Sequence, residues 1–246
     1  MHSYSSLTND LETMGLQRSG TLLAHTSMKS IGQVDGGADT VLDVLMDFHR
    51  DSGLFAMPSL TWDLALQEEP VFDVLHEPTV VGLLPEMFRR REGTIRSWHP
   101  THSMCAYGKD AKAFLANDRN THTPCAKESA WHKLIEQNAT ILMIGCDLTS
   151  CTFLHGTEEW ANVPNRLNSP VRFTIIPPDG KKYATDSRPH RGNPSEQYHR
   201  IESDLITGGA LTFGKFGDAE VRILNAKKTW EVAHSVLKAN PHLFDE

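Results

Sequence analysis

The sequence predicts an α/β fold, and three segments near its start carry that prediction. Residues 21–25 are a short apolar run that is typical of a buried strand. Apolar residues then recur at helical spacing over residues 38–50, and residues 54–57 form a second apolar run that Pro58 ends. A strand, a loop, a helix and a strand in this order open an α/β domain.

The rest of the chain continues the alternation. Residues 140–145 are a continuous apolar run of the kind that a central strand requires, and a helix is expected after it, over about residues 151–160. A turn at 177–180 predicts a hairpin between strands at 171–176 and 182–185. The other predicted elements are helices over 83–91, 111–116, 130–137 and 229–238, strands over 103–106, 211–213 and 220–224, and polar loops over 60–81 and 186–196.

Length and composition indicate one soluble domain over residues 1–246. No apolar run approaches the roughly 18–20 residues that a membrane span needs, and residues 1–12 are polar without the apolar core of a signal peptide. We therefore expect a cytoplasmic protein with no membrane partner. The four cysteines show no C-x-x-C spacing, which indicates reduced thiols. The net charge of −7 argues against nucleic acid as a partner.

The segment 25–32, His-Thr-Ser-Met-Lys-Ser-Ile-Gly, follows the first predicted strand and precedes the first predicted helix. Ligands bind at strand ends in α/β sheets, where small hydroxyl residues and backbone N–H groups can hold phosphate oxygens. The segment is neither a P-loop nor a G-x-G-x-x-G motif, so a purely structural loop explains it as well.

His155 and Glu158 lie three residues apart on the helix that is expected after the central strand. At that spacing they share a helix face, and a carboxylate beside an imidazole fixes its tautomer and raises its basicity. The pair is therefore a candidate general base, although an exposed ion pair has the same spacing. Cys146 and Cys151 flank the segment, so a thiol nucleophile with His155 remains an alternative.

His99 and His102 raise the question of a metal site. Zinc needs three or four ligands, and Pro100 makes a regular helix at this spacing unfavourable, so polar loop residues lining a pocket are the preferred interpretation. The open alternative is a metal-dependent hydrolase, which would use the four histidines His25, His99, His102 and His155.

Taken together and in order, these segments resemble the aminoglycoside 3-N-acetyltransferase family. The similar segments are 25–32, 36–38, 57–58, 71–73, 82–89, 96–103, 142–145, 152–155 with Glu158, the glycine-rich strands near the end, and the final Asn-Pro-His-Leu-Phe. Two positions depart from the family pattern, because Thr26 and Cys151 stand where many members have serine and asparagine.

The resemblance implies a three-layer α/β/α fold with a mixed central sheet, distinct from the GNAT acetyltransferases. It implies acetyl-CoA as the cosubstrate, no metal, and direct acetyl transfer in a ternary complex, with His155 and Glu158 as the general base. It places His25 near the acetyl thioester. The residues that the resemblance assigns to CoA are Thr26, Ser27, Met28, Lys29, Ser30, Ile31, Gly32, His102 and Ser103.

The expected acceptor is the 3-amino group of an aminoglycoside, a small cationic amine, bound by a monomer or homodimer. A polycation favours an acidic cleft, and the acidic loop from Asp63 to Glu77 is the best local source of negative charge. Asp63, Asp73 and Glu159 are the expected substrate contacts. Two alternatives stay open, namely the same chemistry on a metabolite amine and a non-catalytic CoA-binding domain.

Overall fold

The computed structural model describes residues 1–50 and 52–245, which form two β-sheets and the helices that cover them. The strands are β1 (Thr21–Thr26), β2 (Leu54–Pro58), β3 (Val71–Asp73), β4 (Ile95–Arg96), β5 (Met104–Gly108), β6 (Thr140–Ile144), β7 (Val171–Ile176), β8 (Tyr183–Ser187), β9 (Leu211–Phe216) and β10 (Ala219–Asn225).

The helices separate the strands along the chain. The α-helices are α1 (Tyr4–Thr13), α2 (Met28–Ile31), α3 (Gly37–His49), α4 (Leu83–Phe88), α5 (Ala111–Leu115), α6 (Ala130–Glu136), α7 (Thr152–Trp160), α8 (Glu202–Thr207) and α9 (Ala226–Ala239). Short 3-10 segments cover Trp62–Leu66, Asp118–Asn120, Leu148–Ser150 and Pro194–Ile201. Within the described ranges, no helix is long and apolar enough to cross a membrane.

The large sheet has seven strands in the order β4-β5-β2-β1-β6-β10-β9. Its centre is parallel, because β1 pairs in parallel with both β2 and β6, and its flanks are antiparallel. The predicted mixed central sheet is therefore confirmed. The carboxyl ends of β1, β2 and β6 meet at one edge, which is the edge where ligands bind in α/β sheets.

Alternation along the strands explains the layers. Leu22 and Ala24 pack with α1, α3 and α4 on one face of the sheet, whereas Leu23 packs with α5, α6, α7 and α9 on the other. Strand β6 is buried on both faces, as its continuous apolar run predicts. The three-layer α/β/α prediction is confirmed.

The small sheet has the order β3-β7-β8 and its own apolar cluster around Phe72 and Phe173. The hairpin of β7 and β8 was predicted and is confirmed. The prediction of loop throughout 60–81 is wrong at β3, which pairs in parallel with β7. Three residues carry too short a pattern to be recognised, and the strand exists because a partner about 100 residues further along the chain supplies its hydrogen bonds.

Several helix boundaries differ from the sequence prediction. Helix α1 was not predicted, although Ser3 forms a capping box with Ser6, and Leu7 and Leu11 are fully buried. The polar loop predicted over 186–196 gives way at its end to the 3-10 segment that leads into α8. These segments lack a long apolar period, so tertiary packing determines them.

Candidate active site

A cavity of about 280 Å³ opens where the central strands end. His25 and Thr26 of β1, Pro58 of β2 and Cys146 after β6 reach it from the sheet edge, and Thr152 and His155 reach it from α7. Its other lining residues are Leu60, Trp62, Val81, Pro85, His102, Thr149, Ser150 and Ser195. Hydroxyl and imidazole groups therefore supply most of its polar surface.

His155 takes part in a hydrogen-bonded relay with Tyr198 and Glu158. Nδ1 of His155 lies 2.7 Å from Oη of Tyr198, and that hydroxyl donates to Oε2 of Glu158 at 2.6 Å. A hydroxyl has one proton, which Glu158 accepts, so Nδ1 of His155 is the donor to Tyr198. Nε2 of His155 is then left with the lone pair that a general base needs.

Glu158 is held from two sides, and this fixes the far end of the relay. Nε of Arg166 donates to its second carboxylate oxygen, and the same guanidinium binds Asp245 at 2.6 Å. Burial raises the pKa of Glu158, while hydrogen bonds from Tyr198 and Arg166 act in the opposite direction. The predicted pair is thus present with one correction, because the Tyr198 hydroxyl stands between the imidazole and the carboxylate.

Burial also sets the protonation state of the imidazole. It lowers the pKa of His155 well below its ordinary value, and the charges of His190 and Arg166 act in the same direction. His155 is therefore neutral near pH 7, which is the form that can accept a proton.

His25 lies at the end of β1 and is 5% exposed. Its Nε2 is buried with no hydrogen-bond partner among the described residues, and the side chain lines the cavity. Burial lowers the pKa of His25 to about 4, so the ring is neutral at physiological pH. A neutral ring with an unused nitrogen can donate a hydrogen bond to a ligand oxygen.

The predicted CoA loop is tied to the end of β6. The Ser27 and Ser30 hydroxyls lie 2.8 Å apart, and Ser30 donates to the carbonyl of Gly145 at 3.0 Å. Gly145 has φ of +67°, and a Cβ there would overlap Ser30, so glycine is required at this position.

Some side chains of this loop face the cavity or solvent, and others are buried in the core. Thr26 lines the cavity with an unpartnered hydroxyl, Lys29 is exposed, and Met28 and Gly32 are half-buried. The assignment of Ile31 to CoA needs correction, because its side chain is fully buried in the core and its carbonyl accepts a hydrogen bond from the backbone of Asp218.

The other two residues assigned to CoA, His102 and Ser103, also differ in their position relative to the cavity. His102 lines the cavity, and its Nδ1 lies 3.0 Å from the Thr101 hydroxyl. Ser103 is fully buried, donates to the Ser59 carbonyl at 2.5 Å and accepts from Arg96 at 3.0 Å. The assignment of the Ser103 side chain to CoA therefore needs correction, because its hydroxyl is buried and engaged with Ser59 and Arg96.

The three predicted substrate carboxylates do not lie together. Asp63 is exposed beside Trp62, which lines the cavity. Asp73 accepts hydrogen bonds from the backbone of Leu75 and His76, so its carboxylate has a local structural role. Glu159 lines a second cavity, of about 580 Å³, on another side of α7.

Two neighbours of His155 were missed from the sequence. Tyr198 is fully buried in the segment Pro194–Ile201, 43 residues from His155 in the chain. The ring of His190 stacks on the ring of His155, with 4.2 Å between centroids. Neither residue belongs to a local motif, so only the folded chain brings them to the imidazole.

The cysteines beside the cavity are poor nucleophiles. Burial raises the pKa of both Cys146 and Cys151 to about 12. The thiolate is the reactive form of cysteine, and little of it exists at neutral pH when the pKa is so high. A covalent acetyl-cysteine route is therefore disfavoured.

The family model for aminoglycoside 3-N-acetyltransferase matches residues 23–238. The chain therefore belongs to the aminoglycoside 3-N-acetyltransferase family, which consists of acyltransferases, and the resemblance drawn from the sequence motifs is confirmed.

Curated relatives agree along almost the whole chain. An SPβ prophage-derived aminoglycoside N(3')-acetyltransferase-like protein of Bacillus subtilis is 31% identical, covering 93% of this chain and 89% of its own length. Aminoglycoside N(3)-acetyltransferase VII of Streptomyces paromomycinus is 32% identical, covering 90% of this chain and 86% of its own length.

Solved structures share the fold. The AAC-IIIb binary complex with CoASH has a TM-score of 0.85 at 22% identity and covers 96% of each chain. Aminoglycoside acetyltransferase AAC(3)-IVa, as a histidine-to-alanine mutant in complex with a gentamicin, has a TM-score of 0.83 at 22% identity and covers 99% of this chain and 91% of its own. The non-GNAT fold prediction is thereby confirmed.

Proposed function

We propose that this chain transfers the acetyl group of acetyl-CoA to the 3-amino group of an aminoglycoside, directly and in a ternary complex, with His155 as the general base. The observation that carries the proposal is the relay from His155 through Tyr198 to Glu158, placed beside a cavity at the carboxyl ends of β1, β2 and β6.

The base step follows from the state of the imidazole. An amine attacks a thioester only in its neutral form, and the amines of aminoglycosides are largely protonated at neutral pH. Nε2 of His155 takes a proton from the amine, and Tyr198 and Glu158 stabilise the resulting imidazolium through Nδ1. The amine nitrogen then bonds to the acetyl carbon, and the C–S bond breaks as this nitrogen gives up a second proton. CoA leaves as the thiolate and takes up one proton to become the thiol, and His155 returns the other to solvent.

The cavity has the donor set that acetyl-CoA requires. Thr26, Thr149 and Ser150 offer hydroxyl groups along its wall, and the loop 27–32 follows Thr26 directly, with the N–H groups of Ser27 and Ser30 bonded to backbone carbonyls. Such hydroxyl groups hold amide and phosphate oxygens of a pantetheine arm. The existence of a relative in binary complex with CoASH, on the same fold, supports this assignment.

His25 is the proposed donor to the developing oxyanion. In the tautomer protonated at Nε2, its unpartnered N–H is free to bind the acetyl carbonyl oxygen as negative charge forms there. One donor of this kind is worth about 3–4 kcal/mol of transition-state stabilisation.

The aminoglycoside acceptor is supported by the family and by relatives whose structures contain a gentamicin, apramycin or sisomicin. Asp63 is an exposed carboxylate that follows the cavity residue Trp62 directly, in the acidic loop predicted to attract a polycation. We assign Asp63 to the approach of the cationic acceptor. Glu159 is assigned to acceptor contacts from its own side of α7.

The deciding experiment measures thiol release from acetyl-CoA with a panel of aminoglycosides and simple amines, for wild type and His155→Ala. We expect kcat of the variant to fall at least about a hundredfold, because the base is lost, while thermal stabilisation by CoA is retained. His199→Ala is the matched control, since His199 is an exposed histidine one residue from Tyr198.

The outcomes separate the parts of the proposal. Near-wild-type turnover of His155→Ala would exclude His155 as the base. Transfer to simple amines alone would keep the chemistry and overturn the aminoglycoside acceptor. Binding of CoA without transfer to any amine would favour a CoA-binding domain.

A further inference from the structure

A second cluster of reactive side chains lies on the other side of the His155 imidazole. Atoms of Cys125, Glu159 and His190 that can ligate a metal all lie within 4.8 Å of one another. Among the residues that the structure describes, this is the one cluster of three or more such groups. None of the four histidines of the hydrolase alternative belongs to this cluster. One of them, His99, also has its Nδ1 occupied, because it accepts from the backbone N–H of His102 at 3.0 Å.

We propose that Cys125, Glu159 and His190 form a binding site for a thiophilic divalent metal ion such as Zn²⁺. Thiolate, imidazole and carboxylate are the three ligand types of zinc, and three protein ligands with one open position is a common zinc arrangement. Bonds of about 2.0–2.3 Å to one ion bring its ligands within roughly 4 Å of each other, so small side-chain rotations suffice.

Charge and burial favour an ion at this position. Cys125 is fully buried, and the side chains of Glu159 and His190 are 7% and 9% exposed. A thiolate and a carboxylate together neutralise a divalent cation, so the loaded site carries no net charge in a dry environment. Metal entry displaces the thiol proton of Cys125, which goes to solvent, while His190 binds as a neutral imidazole and keeps its ring proton on the nitrogen that does not bind the metal.

The surroundings hold two of the ligands in place. The backbone N–H of Cys125 donates to Oε1 of Glu159 at 2.9 Å, and the indole of Trp160 donates to the Cys125 carbonyl at 2.5 Å. Such outer contacts orient metal ligands. Nδ1 of His190 is buried without a partner among the described residues, while its Nε2 lies 2.8 Å from Glu159. The cavity of about 580 Å³ that Glu159 lines gives an ion access from solvent.

The test is a Co²⁺ titration of chelator-treated protein without CoA, followed by the thiolate-to-cobalt charge-transfer absorption. We expect one equivalent to bind, with release of the Cys125 thiol proton, and Zn²⁺ to bleach the absorption. Cys125→Ser removes the thiolate absorption, and Glu159→Gln weakens binding at least about tenfold. Cys105→Ser and Cys146→Ser are controls in which the absorption is retained. Cys105 is as buried as Cys125 but lies outside the cluster, and Cys146 is partly exposed.

The proposal fails if no saturable thiolate absorption forms, if it persists in Cys125→Ser, or if it is lost in Cys146→Ser instead. Should Cys125→Ser not fold, Glu159→Gln decides, and wild-type Co²⁺ affinity in that variant overturns the site. Acetyl transfer is not part of the readout. Glu159 is the one residue that this site shares with the proposed acceptor contacts, so Cys125→Ser, which lies outside those contacts, tests the metal site separately from the proposed function.

Discussion

Glu158 and Glu159 are neighbours on α7, yet they belong to different networks. Glu158 is 1% exposed and joins Tyr198 and Arg166, and through the tyrosine it reaches Nδ1 of His155. Glu159 joins the Cys125 backbone and His190, whose ring stacks on the face of the same imidazole.

The difference shows what helical spacing can and cannot decide. Residues three and four positions after His155 both lie near its face of the helix, so spacing alone makes either glutamate a candidate partner. The fold decides between them, because Tyr198 comes from a distant segment to bridge one carboxylate and not the other. Carboxylates with nearly the same sequence context thus take different roles.

The largest expected effect separates the two carboxylates directly. Glu158→Gln lowers kcat on the order of a hundredfold, because its amide can donate to Tyr198, which then donates to Nδ1 of His155 and fixes the wrong tautomer. Glu159→Gln raises KM by roughly threefold to tenfold, because it weakens the proposed contact with the cationic acceptor. Its kcat changes less, because Glu159 has no hydrogen-bonded path to Nδ1 of His155 among the described contacts. Steady-state kinetics on both variants checks this, and equal kcat losses would contradict it.

Removing the bridge is expected to have the next largest effect. Tyr198→Phe leaves Nδ1 of His155 and one oxygen of Glu158 without their partner, so kcat falls at least about tenfold while CoA binding persists. Tyr183→Phe is the matched control, because the Tyr183 hydroxyl is buried with no hydrogen-bond partner among the described residues. Similar kcat values for the two variants would remove Tyr198 from the mechanism.

A third prediction extends the comparison to imidazoles that burial keeps neutral in the core. Burial lowers the pKa of His49 to about 4. Below its unfolded value near 6.5, the unfolded chain binds a proton that the folded chain does not, so stability is lost as the pH falls from 6.5 to 4. His49→Gln lacks this titrating group. The difference in the free energy of unfolding between wild type and the variant therefore falls, as the pH is lowered, by up to about 1.36 kcal/mol per pH unit over that window. Urea unfolding at several pH values measures it, and a difference that is constant with pH would contradict it.

The smallest expected effect concerns the exposed carboxylate before the cavity. Asp63→Asn lowers kcat/KM for an aminoglycoside by roughly twofold to threefold at low salt and makes it less sensitive to added salt, because exposed charges act through screened attraction. Asp204→Asn, which alters an exposed aspartate on α8, is the control. An unchanged salt response in Asp63→Asn would leave this residue without a role in attracting the acceptor.

Local patterns predicted much of the fold and part of the site. The strand at 140–144, the helix at 152–160 and the hairpin of β7 and β8 were predicted within a few residues, because apolar runs, cap residues and turn residues act locally. Ordered motifs identified the family and singled out His155 and Glu158. The extent of the single domain and the oligomeric state stay predictions, and Asp51 and Glu246 lie outside the described residues.

By itself, the sequence determined the α/β alternation, the family and the candidate base, because each depends on residues close together in the chain. Only the tertiary structure decided that Tyr198 bridges His155 to its carboxylate, that His190 stacks on the same imidazole, and that Glu159 joins Cys125. These contacts join positions more than 30 residues apart, and chain packing creates them without any local signal.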